Sequence, residues 1–178
     1  LVSIVSTIKA YISALVEEEG QHFLAVSVFD GRSRLVSIAA YSNRLGPLNG
    51  SVDDLLTFQS VGTQVSLSGA FSEGLDLVQQ AVSSSSVGAT KGSLLVFTDG
   101  PDDSPSSDAA TLGQRINASS VDVFAIALGT QTQDQDLMAW GKSGFEKIVN
   151  ITQLESAFTQ VASQITLASS ANYVLSYC

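Results

Sequence analysis

The sequence predicts a three-layer α/β sandwich, in which a mostly parallel central sheet has one antiparallel edge strand and helices on both faces. The short apolar run Leu94–Phe97 has no polar alternation, which is typical of a strand buried on both faces, and Val121–Gly129 is another predicted buried strand. Segments with helical spacing of apolar residues separate the extended runs. This alternation of strands and helices is typical of an α/β fold with right-handed crossovers. Two further extended runs flank Asp30-Gly31, a strong hairpin signal that accounts for the antiparallel edge.

The predicted helices carry apolar residues three or four positions apart. The first covers Val2–Glu19, and Gly20 ends it as a C-terminal cap. Asn43–Ser51 is predicted as a loop from its Gly, Pro and Asn content, with Ser51 capping a short helix through Phe58. The later helices are one that starts at Ala70 and fades at Ser83, one capped by Ser107 or Asp108 that runs through Ile116, a short one at Asp134–Lys142 and a last one at Leu154–Leu167.

The remaining strands complete a single domain. Phe23–Phe29 and Leu35–Tyr41 form the hairpin, and we predict that the second strand lies at the edge of the sheet. Phe145–Val149 is a brief strand. Since the chain has 178 residues, one core is the default. We assign residues 1–171 to this domain and residues 172–178 to the start of a following extended segment.

An acidic turn follows the most apolar strand. Its carboxylates are Asp99, Asp102, Asp103 and Asp108. In parallel sheets ligands bind just beyond the carboxyl ends of the strands, so a binding site is expected at Thr98-Asp99-Gly100. A polar turn residue before a helix would also explain Asp99, and the position in the fold does not name a function.

The charge of the chain limits its partners. Acidic residues outnumber basic ones by 17 to 8, which gives a formal net charge of −9. This argues against nucleic acid or an anionic membrane as a partner and is compatible with cation binding. No apolar run approaches the ~20 residues of a membrane-spanning helix, and no signal peptide is recognised at the start. Because the chain opens on Leu1 rather than Met, we expect a processed or excerpted piece.

Three triplets match the acceptor pattern for N-linked glycosylation, namely those at Asn49, Asn117 and Asn150. The single cysteine, Cys178, cannot form a disulfide within this chain. Together with the abundance of Ser, Thr, Gln and Ala, these triplets favour an extracellular or cell-surface location and a glycoprotein.

The order of five segments resembles a von Willebrand factor A-type (VWA) domain over nearly the whole chain. No one segment is decisive, but their succession is. These segments are the first helix, LAVSVFDGRSRLVSIAAY, SLSGAFSEGLDLV, SLLVFTDG and INASSVDVFAIALG. The resemblance implies an extracellular binding module with a metal-ion-dependent adhesion site at the carboxyl end of its sheet.

The resemblance implies that a D-x-S-x-S loop, a threonine and the aspartate of the TDG turn hold a divalent cation in that site. It also implies that an open coordination position of the cation accepts a carboxylate of the partner. Asp99 matches the aspartate. The cation is expected to be Mg²⁺, or Mn²⁺ or Ca²⁺, because these hard ions prefer oxygen ligands. Val65 falls where the threonine stands, so Thr63 and Ser66 are the neighbouring hydroxyls that could reach the metal.

The other departure from the family pattern is at the first strand. That strand and its D-x-S-x-S loop are absent from the sequence, so the sheet is expected to lack a central strand and the metal site to be partial or degenerate. Asp102-Asp-Ser104-Pro-Ser106 spells D-x-S-x-S. It follows the wrong strand, however, and we treat it as a chance match.

Three functional hypotheses follow. The first is an adhesion or protein-interaction module that binds an acidic group of another protein through the cation. The second is a structural module of a larger extracellular assembly with further domains, whose metal site does not function. The third is an enzyme, which we do not expect because the nucleophile-elbow, P-loop and dinucleotide-binding motifs are absent. His22 is the only histidine, and without a second histidine or a nearby cysteine in the sequence we do not expect catalysis or zinc binding there.

Overall fold

In the computed structural model, six helices and six strands are defined among the residues described, which are 1–16, 22–29, 35–59, 66–84, 89–101, 106–130, 134–168 and 171–177. The helices are α1 (Val2–Val16), α2 (Leu45–Val52), α3 (Leu67–Ser83), α4 (Ser106–Ala118), α5 (Asp134–Trp140) and α6 (Leu154–Ala168). The strands are β1 (Phe23–Phe29), β2 (Leu35–Ser42), β3 (Lys91–Thr98), β4 (Asp122–Leu128), β5 (Gly144–Ile148) and β6 (Ala171–Tyr177). Short 3-10 turns cover Asp53–Leu56 and Ile151–Gln153.

The strands form one sheet in the order β2-β1-β6-β3-β4-β5. All neighbouring pairs are parallel except β1 and β2, which are antiparallel, and β2 lies at an edge. The fold class and the antiparallel edge strand are therefore confirmed. The Asp30-Gly31 turn lies outside the described residues.

Helices cover both faces of the sheet because consecutive residues of a strand point to opposite sides. Leu95 and Phe97 of β3 join a buried cluster with α1, α2 and α6. Leu94 and Val96 join a second cluster with α3, α4 and α5. The unbroken apolar run of β3 thus serves two cores, as expected for a strand buried on both faces.

The centre of the sheet differs from our prediction. Strand β6 lies between β1 and β3 and pairs with both in parallel, with Val28 and Phe97 each opposite Tyr177. The described sheet does not lack a central strand, and residues 172–177 belong to it instead of starting a following segment. The physical reason is that β1 and β3 each present a row of backbone donors and acceptors, which an uncharged extended segment satisfies on both sides.

Helix α2 is a second correction, because it covers most of the segment predicted as a loop. Pro47 lies in the first turn of this helix, where its missing N–H costs little. Leu48 and Val52, four positions apart, are 1% and 0% exposed. Their burial outweighs the low helix propensity of Gly46 and Gly50. Ser51 lies inside α2 and not at its N-cap.

No helix among the described residues has the length and apolar character needed to cross a membrane.

Candidate functional site

The candidate site begins at the carboxyl end of β3. Thr98, the last residue of the strand, is fully buried. Its Oγ1 donates to the carbonyl of Gly100 and accepts from the N–H of Gly100, at 3.3 Å in both cases. These two bonds hold the turn against the end of the strand. Asp99 therefore lies at the rim of the sheet with its side chain exposed.

The start of helix α3 places Ser66 at the same end of the sheet, where the carboxyl ends of the parallel strands lie. A Cβ atom at Gly69 would lie 3.8 Å from Phe29 at the end of β1, whereas one at Gly92, near the start of β3, would meet Val78. Since these contacts run from the carboxyl to the amino ends of the strands, α3 is antiparallel to them, and its first residues lie at the rim that carries Asp99.

Ser66 has a structural role at this rim. It is the N-cap of α3, and its Oγ accepts from the N–H of Gly69 at 3.2 Å. Such a bond satisfies one of the free N–H groups in the first turn of a helix. Helix α3 thus begins three residues before the predicted start at Ala70. A serine oxygen has two lone pairs, so this bond alone does not exhaust its capacity as an acceptor.

The carboxylate of Asp99 is electrostatically perturbed. Desolvation by the surrounding protein raises the pKa of Asp99 above its ordinary value, and a backbone hydrogen bond at Asp99 opposes this shift. Desolvation disfavours the charged form of a carboxyl group, and a nearby cation would offset that cost. Perturbed carboxylates of this kind are concentrated at functional sites.

We expect Asp99→Asn to raise the thermal stability of the metal-free protein slightly at neutral pH. Because the pKa of Asp99 is higher in the folded than in the unfolded chain, the charged carboxylate weakens the fold above its folded pKa. The penalty disappears as the pH falls below the unfolded pKa. The asparagine variant should therefore gain most at neutral pH and nothing in acid. Thermal unfolding at several pH values measures this, and a variant less stable at neutral pH would contradict it.

Two of the three predicted ligands lie at the same end of the sheet. Asp99 and Ser66 lie at the carboxyl ends of the strands. Thr63 and Val65 fall outside the described residues. The D-x-S-x-S segment Asp102–Ser106 also falls outside them, except for Ser106. His22 lies directly before β1, at the opposite end of the strands, and is 5% exposed.

The fit to a metal is partial. Within the described part of the chain, no group of three or more His, Cys, Asp or Glu side chains is placed to hold an ion. Mg²⁺ keeps several water ligands and commonly takes only one or two protein carboxylates, so Asp99 fits the carboxylate role. The described residues provide this carboxylate and the hydroxyl of Ser66 at the rim, and further protein ligands would have to come from elsewhere.

A groove that sequence analysis missed opens beside Ser66. It has a volume of about 400 Å³ and runs between α3 and α4, and its polar lining includes Ser68, Ser72, Thr111 and Arg115. Arg115 donates to Ser72 and forms an ion pair with Asp76, so its charge is already balanced. The serines at positions 66, 68 and 72 could be seen in the sequence, but the opposite wall consists of α4 residues that are distant along the chain.

No family model matches this sequence, and a comparison with curated proteins finds no match. Solved structures do match it. A von Willebrand factor type A protein from Catenulispora acidiphila has a TM-score of 0.70 at 13% identity, over 91% of this chain and 37% of that one. Manganese-loaded TRAP protein of Plasmodium vivax has a TM-score of 0.65 at 13% identity, over 91% and 63%.

Proximal thread matrix protein 1 of the mussel byssus has a TM-score of 0.66 at 14% identity, over 90% of this chain and 42% of that one. A second structure of that protein, with zinc in its metal-ion-dependent adhesion site (MIDAS) motif, has a TM-score of 0.60 at 17% identity, over 90% and 40%. This chain spans less than two thirds of each of these structures. The chain has a VWA-like fold, as the order of its segments predicted.

Proposed function

We propose that this chain is a protein-interaction module that works outside the cell and binds its partner through a divalent cation at Asp99. The observation that carries the proposal is the exposed, partly desolvated carboxylate of Asp99 at the carboxyl rim of the sheet, the end at which α3 also begins. Ligands of α/β sheets bind at this edge. Neighbours of the same fold that contain manganese or zinc support a metal here.

The cation would join two negatively charged surfaces. The chain has a net charge of −9, and Asp136 lies in the first turn of α5, which follows β4 at the same end of the sheet, whereas Asp134 in that turn is paired with Lys147. Such a rim repels an acidic partner. A bound Mg²⁺, Mn²⁺ or Ca²⁺ would supply positive charge and an exchangeable ligand position that accepts a carboxylate. Asp99 would hold the cation, with Ser66 and Thr63 as candidate hydroxyl ligands.

A structural module without metal is the second candidate. The incomplete ligand set among the described residues favours it. A neighbour of the same fold is a matrix protein of the mussel byssus, an assembly role that this chain could share. The two candidates differ in one measurable property, because only the first gains stability or affinity from a divalent cation. Both are binding roles, and we propose neither catalysis nor a catalytic residue.

Thermal unfolding with millimolar Mg²⁺ or Mn²⁺ and with a chelator tests the metal. A ligand that binds only the folded state stabilises it by about 1.4 kcal/mol at ten times its Kd. We expect this gain in the unchanged protein and its loss in Asp99→Asn. Asp136→Asn is the matched control, because it removes one carboxylate from the same edge and should keep the response.

Each result separates the candidates. A metal response lost only in Asp99→Asn supports the adhesion module. Melting curves that are identical with metal and chelator support the structural module. An equal response in Asp99→Asn would show that the cation binds somewhere other than the rim at Asp99.

A further inference from the structure

The three glycosylation triplets lie in different surroundings in the folded chain. Asn117 is in the last turn of α4, Asn150 follows β5, and Asn49 is in α2. The side chains of Asn117 and Asn150 are exposed, whereas that of Asn49 is only partly exposed. Because a glycan must extend into solvent from the amide nitrogen of asparagine, the fold distinguishes between triplets that the sequence pattern treats as equal.

The backbone around Asn117 is fixed while its side chain faces outward. Ile116 is fully buried, which sets the rotation of the last turn of α4. The Nζ of Lys142 donates to the carbonyls of Ile116 and Ser119, at 2.7 Å each, and so satisfies carbonyls that the end of a helix leaves free. Ser119, the hydroxyl residue of the triplet, donates from Oγ to the same carbonyl of Ile116 at 2.8 Å.

The side chain of Asn150 makes a bond that a glycan would not break. Its Oδ1 accepts from the N–H of Thr152 at 3.0 Å, and Oε1 of Gln153 accepts from the N–H of Asn150 at 3.1 Å. This reciprocal cap starts the turn before α6. The cap uses Oδ1 of the side chain, whereas a sugar is attached to Nδ2. A glycan at Asn150 is therefore compatible with the local structure.

Asn49 is partly buried in α2. Its Oδ1 is buried and has no hydrogen-bond partner within the described structure. The adjacent Leu48 is 1% exposed, and Val52 is fully buried one turn later. The amide of Asn49 is therefore held against the protein on its Oδ1 side, whereas Asn117 and Asn150 are exposed, so Asn49 offers the least room for a sugar. Moving the amide outward would disturb the packing of α2.

We propose that the folded protein carries N-linked glycans at Asn117 and Asn150 and none at Asn49. The donor is a lipid-diphosphate-linked oligosaccharide. Its anomeric C–O bond breaks, the diphosphate leaves with the electron pair, and Nδ2 of asparagine loses a proton as it bonds to the anomeric carbon. The inference rests on the extracellular setting of the proposed function.

The two glycans would lie at opposite ends of the strands. Asn117 precedes β4 and is near the amino ends of the strands, whereas Asn150 follows β5 at the carboxyl rim. Asp99 is two strands away from β5, or about 10 Å at the usual spacing of strands. The glycan at Asn150 would therefore border the proposed partner surface, and the glycan at Asn117 would leave that surface open.

To test this, the chain is fused to a foreign signal peptide and secreted from eukaryotic cells. The mass of the folded protein is then measured by mass spectrometry before and after treatment with an N-glycosidase. We expect the mass of two glycans. Asn117→Gln and Asn150→Gln should each lose one, and Asn49→Gln should lose none. Ser119→Thr preserves the acceptor pattern and should keep both glycans, which controls for the bonds around Ser119.

Several results would overturn the inference: an unglycosylated product, a glycan lost in Asn49→Gln, or an unchanged mass in Asn117→Gln or Asn150→Gln. The foreign leader makes this outcome independent of the proposed location. The location is tested separately by looking for the same glycans on the protein from its natural source. The metal response of Asn117→Gln should equal that of the unchanged protein, so a failure of the metal site does not imitate a failure of the glycan sites.

Discussion

Phe158→Ala is expected to destabilise the protein by about 3–5 kcal/mol, the usual cost of removing a buried phenylalanine side chain. Phe158 on α6 is 1% exposed. Its ring lies 5.4 Å from that of Tyr11 and 5.9 Å from that of Phe97, centre to centre, in edge-to-face contacts. The residue thus connects α1, α6 and β3, and its loss leaves a cavity and removes both ring contacts.

Thermal or urea unfolding measures this loss. For a chain of this size a melting temperature falls by about 2–4 °C per kcal/mol, so we expect a decrease of about 6–20 °C. Met138→Ala is the control, because Met138 is 61% exposed and its truncation should change the stability by less than about 0.5 kcal/mol. If both variants shift by the same amount, Phe158 is not part of the core described above.

Gly92→Ala is expected to cost about 1–3 kcal/mol, as overpacking of a filled core does. A Cβ atom at Gly92 would lie 2.3 Å from Val78 and 2.9 Å from Val82, both on α3. Valine side chains have few rotamers, so they cannot move aside easily. The strand and helix must separate instead. Since Ser66 caps α3, a separation of α3 from β3 would also displace Ser66.

Two variants check the explanation for Gly92. Gly113→Ala places the same methyl group in the middle of α4, where no atom lies within 4 Å. It should stabilise the protein by about 0.8–1 kcal/mol through helix propensity. Adding Val78→Ala should reduce the cost of Gly92→Ala, because the double mutant removes the clash. If Gly92→Ala costs the same with and without the Val78 side chain, crowding by Val78 is not the cause.

Much of the fold could be predicted from local patterns. The run Leu94–Phe97 has no polar alternation and Val121–Gly129 is mostly apolar, and the structure places β3 and β4 between two cores. The hairpin was recognisable from Asp30-Gly31, because a tight turn leaves antiparallel pairing as the only short connection. The position of Asp99 followed from the rule that ligands of parallel sheets bind beyond the carboxyl ends of the strands, whereas Ser66 was placed there by the resemblance to VWA domains.

Other features depend on contacts that no local pattern contains. Helix α2 is rich in residues that disfavour helices, and it forms because Leu48 and Val52 are buried against the rest of the fold. The central position of β6 depends on which strand edges are left unpaired, which involves the whole sheet. The groove beside Ser66 needs Arg115, 49 positions further along the chain, so spacing alone could not reveal it.

The central position of β6 also has a kinetic consequence. Phe23 of β1 is opposite Asn172 of β6, so the two partners are 149 positions apart. Pairings between such distant positions make folding slow, because a large loop must close before the contact forms. Until β6 docks, the β1–β2 hairpin and the β3–β4–β5 unit have no backbone bonds between them. We therefore expect slow refolding, and while β6 is undocked the exposed strand edges of the two halves are vulnerable to aggregation.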